Sequence, residues 1–298
     1  MITRGTLTYA VDETVSLMAF EEIMQDMSVL FALYEVRAAS GRRTVGAQIG
    51  SLGELTTKTE GAQADEDSIT QQWKKDYTFV AKGKRVPLSR EIIEDNEWGV
   101  LEELGMQLGM AVNHTMETDG AALFNDAFGG GSYASGDGSA ICGTHTNADG
   151  GNSQSNRGTS ALSYANLVTV RQNMRGFTNS RSLRIRVNPD EILVPVELEN
   201  DAFEIVKSMT RPDNANSVAN MFSSGMTMYV WEALTDATNW FVMDSRMRRQ
   251  NLRWWQRVDP EFYGDGNLHA GTRTIGTYTR YINGALDWRW IYGQEVAG

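Results

Sequence analysis

From Ser89 to Phe128 the apolar side chains Trp98, Leu101, Leu104, Leu108, Val112 and Met116 recur at spacings of three and four, the period of one face of an α-helix. A helix of about 30 residues is ~45 Å long. That exceeds the usual globular helix, so the rest of the chain must be laid out along it. Pro87 and Ser89 suit its start and the Gly129-Gly130-Gly131 run its end, because proline and serine favour the first turn and glycine the terminating conformation.

Upstream, Ile23, Met27, Leu30, Phe31 and Tyr34 give the segment Thr14 to Arg37 one apolar helical face. Such a face belongs either to an ordinary core helix or to an arm packed on a neighbouring subunit. Between Thr44 and Val86 the helical stripe disappears, and Trp73, Tyr77, Phe79 and Val80 form a β-prone run. The segment reads as a long two-stranded excursion. Its middle is acidic (Asp65, Glu66, Asp67) and its return end basic (Lys82, Lys84, Arg85). Because an isolated hairpin is marginal in water, this one should rest on another surface.

After a Gly-, Ser- and Asn-rich loop over Gly129 to Thr159, strands and helices alternate. Ser163 can cap a helix bearing Leu167, Val170 and Met174 that stops at Gly176. Asn188-Pro189-Asp190 turns into the strand Ile192-Leu193-Val194, and Pro195 leads to a helix with Leu198, Ala202, Ile205 and Met209 on one face. Met226 to Trp231 and Asn239 to Met243 would extend the same sheet. Thr274 to Ile282 and Ala285 to Tyr292 flank Asn283-Gly284, a strong signal for a tight hairpin.

The chemistry offered by these residues is sparse. Cys142 and His145 have a metal-like spacing, but His114 and His269 are the other soft or borderline donors, and a structural zinc site needs four ligands. A nucleophile using Cys142 with a histidine is the enzyme alternative. No Gly-x-Ser-x-Gly, His-Glu-x-x-His or Gly-x-Gly-x-x-Gly is present, so no catalytic, cofactor or metal residue is expected. The net charge of -11 argues against a protein that coats nucleic acid, and the single cysteine suits a reducing cytosol. Near the N-terminus the longest apolar run, Val29 to Tyr34, falls far short of the ~20 residues that cross a bilayer. The basic cluster Arg246, Arg248, Arg249, Arg253 and Arg257, interleaved with Trp254 and Trp255, could stack bases. In a chain this acidic it is better read as an interface with an acidic neighbouring surface.

Several segments together resemble one family. Val86-Pro87-Leu88-Ser89-Arg90-Glu91-Ile92-Ile93-Glu94-Asp95 looks like the junction of extended loop and spine helix in tailed-phage major capsid proteins. Asp119-Gly120-Ala121-Ala122-Leu123-Phe124, Gly143-Thr144-His145-Thr146-Asn147 and Leu162-Ser163-Tyr164-Ala165-Asn166-Leu167 resemble the head subunits of Mu-like phages in order and spacing. Ile192-Leu193-Val194-Pro195 and Asp287-Trp288-Arg289-Trp290 continue the similarity.

The resemblance implies the α+β Hong Kong 97 capsid fold. Its parts would be an N-terminal arm (1–43), an extended β-hairpin loop (44–86), a peripheral domain with the spine helix and Gly-rich loop (87–159), an axial domain with a central sheet flanked by helices (160–245), and return strands to the peripheral domain (246–298). It further implies a non-enzymatic shell protein, self-assembled into hexamers and pentamers in the bacterial cytoplasm, enclosing double-stranded DNA without sequence-specific binding. Portal, scaffolding and decoration proteins would be partners, and no membrane. The inter-subunit contact candidates are Asp65, Glu66, Asp67, Lys82, Lys84, Arg85, Arg248, Arg249, Arg253 and Trp254. An encapsulin-like compartment is the alternative of the same fold.

Overall fold

The computed structural model describes residues 29–61, 63–69, 71–89, 91–92, 100–146, 153–211, 213, 218–267 and 272–297. The expected apolar residues Ile23, Met27 and Trp98, and also His269, lie outside this set. Helix α1 (Val29–Leu33) leads into β1 (Glu35–Ala38), β2 (Arg43–Ile49), β3 (Gln71–Thr78) and β4 (Val80–Ser89), followed by the long helix α2 (Val100–Asn125). Short strands β5 (Thr144–Thr146), β6 (Ser153–Ser155) and β7 (Arg157–Gly158) precede α3 (Tyr164–Arg175), β8 (Glu191–Val194), α4 (Glu199–Lys207), β9 (Thr227–Val230) and β10 (Trp240–Met243). Helix α5 (Ser245–Asn251), β11 (Leu252–Asn267), β12 (Thr272–Ala285) and β13 (Ile291–Gln294) complete the order.

Two sheets share α2 as a common wall. One has the strand order β1-β11-β12-β4 and the other β7-β13-β10-β8-β9. Val112, Met116, Leu123 and Phe124 of α2 pack in one core with Leu252, Trp254 and Tyr281 of the first sheet and Leu193, Phe241 and Ile291 of the second. The opposite face of the second sheet, with Ile192, Val194 and Val242, packs under α3 and α4. Helix α2 has 26 residues and is therefore ~39 Å long. It ends at Asn125, short of the Gly129 to Gly131 run, where tighter turns take over with Ala127 N donating to the Phe124 carbonyl (3.1 Å) and Gly129 N to the Asp126 carbonyl (3.0 Å).

Helix α3 forms as its sequence dictates: Ser163 Oγ accepts from Asn166 N at 3.2 Å, Gly176 follows its last residue, and Leu167, Val170 and Met174 are buried. Helix α4 buries Ala202, Ile205 and Val206. Met209, expected on that face, lies beyond the helix end and is 86 % exposed.

The early helix takes the first of the two alternatives its apolar face allowed, and the closing strands depart from expectation. Leu30, Leu33 and Tyr34 are buried in this chain's own core while Phe31 points outward, and β1 pairs in parallel with β11. Leu30, Leu33 and Tyr34 thus anchor this segment in the core, while Phe31 and most of β1 stay exposed. Burying Leu30 and Leu33 contributes roughly 3 to 6 kcal/mol together, comparable with the whole stability of many domains. Deleting residues 1–38 is expected to yield insoluble or protease-sensitive chains. A soluble truncated chain that unfolds cooperatively would show these contacts to be dispensable.

Asn283-Gly284 makes no turn. Strand β12 runs through it, paired with Trp254 and Arg253 of β11. Asn283 Nδ2 donates to the Asp119 carbonyl at 2.8 Å, and Gly284 lets Tyr77 approach so closely that a Cβ would lie 2.5 Å from its ring. Tertiary contacts with β3 and α2 override the local turn preference. Nor does the last strand return beside β11: β13 lies between β7 and β10 in the five-stranded sheet.

Candidate assembly surface

Strands β2 and β3 form a two-stranded ribbon carrying the excursion. Its inner side is fixed by Trp73 and Tyr77, both buried. Tyr77 packs on Trp255 at 4.6 Å and donates to the Ala285 carbonyl at 2.9 Å. The Arg289 guanidinium sits 5.4 Å from the Trp73 ring. The excursion does rest on another surface, and part of that surface is its own chain: Gln48 donates to Asp287 at 3.1 Å, and Arg181 donates to Asp67 at 3.0 Å. Strand β4 leaves the ribbon and joins β12 along ten residue pairs.

Asp65, Glu66 and Asp67 are exposed. Asp65 accepts from Thr56 Oγ1 (2.8 Å), Glu66 from Gln63 (3.2 Å), and Asp67 from the Gly53 N–H (2.9 Å). The Gly53 N–H, then the charge of Arg181, hold the Asp67 carboxyl below the usual carboxylate range. Lys84 and Arg85 are exposed on β4, whereas Lys82 is half-buried and paired with Asp119. The same carboxylate accepts from Tyr281 Oη at 2.6 Å.

The basic cluster is split by burial. Arg249 is exposed and Arg253 half-buried, but Arg248 and Trp254 are interior and so are corrected as interface candidates. Arg248 is 1 % exposed and grips Glu191 with Nε and Nη2 at 2.6 and 2.7 Å, while Nη1 donates to the Leu33 carbonyl. Trp254 stacks on Tyr281 at 4.5 Å, meets Tyr34 edge-on at 5.8 Å and donates to Gln256 at 2.7 Å. These residues hold α1 and β1 to the sheets.

Sequence reasoning looked for charges on the excursion and missed its apolar side chains. Val45, Ile49, Leu52, Leu55 and Ile69 are 46, 67, 55, 101 and 68 % exposed. Large apolar side chains left exposed on one excursion suit a contact surface. The available signal was the alternation of Val45, Ala47 and Ile49, which a two-stranded ribbon can bury on one face only.

Cys142 and His145 occupy a buried hub. Burial pushes the Cys142 thiol far above its ordinary range. His145 stacks on Trp288 at 4.3 Å and 5°, and its ring nitrogens face Asp137 at 2.7 Å and Asn156 Oδ1 at 3.2 Å. Among the described residues no three of His, Cys, Asp and Glu come together as a metal cage.

Burial disfavours the Asp137 carboxylate, yet the hydrogen bond and charge of His145, aided by Ser139 and Ser135, leave its pKa lowered. A lowered folded pKa stabilises above the unfolded value and is lost as pH falls through the folded one. Stability of the native chain should therefore drop as pH falls from about 4. Asp137→Asn should be less stable at neutral pH and lose less in that window. Denaturation curves at both pH values check this, and parallel losses would refute it.

A phage capsid protein family model matches residues 74–293. No curated protein matches the sequence. Solved structures similar in fold include the capsid of cyanophage P-SCSP1u, with a TM-score of 0.62 at 14 % identity over 89 % of this chain and 87 % of that one. The mature capsid of bacteriophage PhiM1 gives 0.58 at 12 % over 91 % and 87 %, and a virus-like particle from Pyrococcus furiosus 0.54 at 10 % over 95 % and 98 %. At such identities the likeness is one of mixed α/β fold. With the family model covering well over half of the sequence, the chain belongs to the phage capsid protein family.

Proposed function

We propose that this chain is the major head subunit of a tailed phage, self-assembling into an icosahedral shell around double-stranded DNA. The observation that carries this reading is the family match over 74–293, joined to capsid folds that align over nearly the whole of both chains. On the Hong Kong 97 plan, α2 is the spine helix, the β2–β3 ribbon with residues 50–70 is the extended loop, and the five-stranded sheet with α3 and α4 is the axial domain. The order of sequence segments supports a Mu-like head subunit. Hexamers and pentamers form in the host cytoplasm, with portal, scaffolding and decoration proteins as partners, and the protein's work is binding rather than catalysis.

Electron microscopy and sedimentation of the purified chain test the reading. Closed shells or capsomer rings are expected, and a monomer or dimer under every assembly condition would overturn it. Cargo protein in place of DNA inside native particles would assign the shell to an encapsulin-like compartment.

Asp65, Glu66, Asp67, Lys82, Lys84, Arg85, Arg249 and Arg253 are proposed as contacts with neighbouring copies, beside the exposed apolar residues of the ribbon. Reversing Asp65, Glu66 and Asp67 to Lys removes one exposed pair, Asp67 with Arg181, and the exposed hydrogen bonds these carboxylates accept, all at the surface, so the subunit should still fold. Assembly yield should fall about tenfold. Particle yield by sedimentation, alongside subunit melting, checks both; normal particle numbers would remove these charges from the interface.

A further inference from the structure

The helical layer over the five-stranded sheet carries two unpartnered patches of opposite charge. One is a recess of about 610 Å³ where α3 ends, β8 begins and β10 finishes, with Ile185 and Val187 in its lining and Arg175, Arg186 and Arg246 beside them. Asp190 and Asp244 also line it, but both are committed to local donors: Asp190 accepts from N and Oγ of Ser245 (2.8 and 2.7 Å), and Asp244 from the N–H groups of Asn188 and Met247 (2.6 and 2.8 Å). Among the described residues none of the three arginines forms an ion pair. Arg246 donates to the Arg186 carbonyl at 2.9 Å, which holds the two together.

The other patch is the outer side of α4. Phe203 is 55 % exposed there, with Glu199 one turn before it and Lys207 one turn after; Asp201 and Glu204 are exposed further round the helix and, like Glu199, without an ion pair among the described residues. None of these residues lines the recess.

We infer that Phe203 and the acidic outer side of α4 on one copy dock into the arginine-lined recess of the next copy. The two surfaces are complementary: an aromatic knob on a helix side with three exposed carboxylates and one lysine, and a hollow with apolar side chains among three guanidiniums. Exposed aromatics and arginines are the residue types that anchor interfaces, and arginine also packs favourably on an aromatic face. Because the two patches differ, the contact is head-to-tail, the type that closes rings. A nucleic-acid phosphate backbone fits the recess less well, since Ile185 and Val187 offer it nothing and two carboxylates share the wall. This rests on the reading of the chain as a shell subunit and names a contact within it.

The test compares shell yield for the full chain and three variants. The unaltered chain must form shells, and its failure to do so would overturn the shell reading and this contact together. With shells established, Arg186→Glu with Arg246→Glu should cut yield about tenfold, and adding Glu199→Arg with Glu204→Arg in the same chain should restore it to within about threefold. Phe203→Ser, at an exposed site that folding does not need, should also cut yield about tenfold. Subunit melting should be unchanged in all three. Normal assembly of the arginine or Phe203 variant overturns the contact, as does failure of the reciprocal reversal to restore it. Failure to restore together with loss of retained DNA would assign the recess to phosphate.

Discussion

Arg248→Met is expected to destabilise the subunit by about 3 to 5 kcal/mol, the cost of leaving one member of a buried ion pair without its partner. Glu191 is 3 % exposed, and without the guanidinium its carboxylate keeps, among the described residues, a single side-chain hydrogen bond, the 3.4 Å contact from Tyr229 Oη. The carbonyls of Leu33 and Ala32 lose a donor as well, so the damage extends to the junction of α1 and β1. Urea denaturation of the soluble subunit measures the loss. The double variant Arg248→Met with Glu191→Leu should recover most of it, because an apolar pair of similar volume carries no buried charge. A single variant within about 1 kcal/mol of the parent would mean that water reaches the pair and that its burial is not what holds α1 in place.

Asn156→Leu should cost a comparable amount, about 4 kcal/mol. Asn156 is fully buried. Its Oδ1 accepts from the Gly143 N–H at 2.8 Å, and its Nδ2 faces the carbonyls of Ile141, Ile291 and Trp288 at 2.8, 3.0 and 3.4 Å. Leucine fills the volume and satisfies none of these groups, and each buried orphan costs about 1 to 3 kcal/mol. One amide thus joins the Gly-rich loop to the segment around β13. The comparison is Asn200→Ala on the exposed side of α4, expected within about 0.5 kcal/mol of the parent. Equal melting of the two variants would show that the carbonyls find other donors.

Much of the architecture was legible because it is written in local periodicity. The register of Leu108, Val112 and Met116, the Ser163 cap and the run Ile192-Leu193-Val194 each act over a few residues, and each is found where it was expected. The misses share a different cause. Asn283-Gly284 reads as a turn by composition, but Tyr77 and Asp119, distant in sequence, hold it extended. Arg248 and Trp254 read as surface by residue type, whereas pairing with Glu191 and stacking on Tyr281 and Tyr34 make burial favourable. On the candidate surface, sequence marks which residues carry charge. It does not mark which apolar residues of a ribbon stay uncovered, since that depends on which face meets the rest of the chain.

The position of β13 bears on how the chain reaches this fold. β10 pairs antiparallel with β8 on one side and β13 on the other, and β8, β9 and β10 all precede β11 and β12 in the chain. Until β13 arrives, the strand Trp240–Met243, buried at all four positions in the finished sheet, presents an open apolar edge. Open edges recruit foreign strands, and pairings across long sequence separation form slowly. Misassembly during rapid synthesis should therefore begin at β10, by capture of another copy's β13, and such swapped dimers would be chemically identical to the subunits that fold correctly.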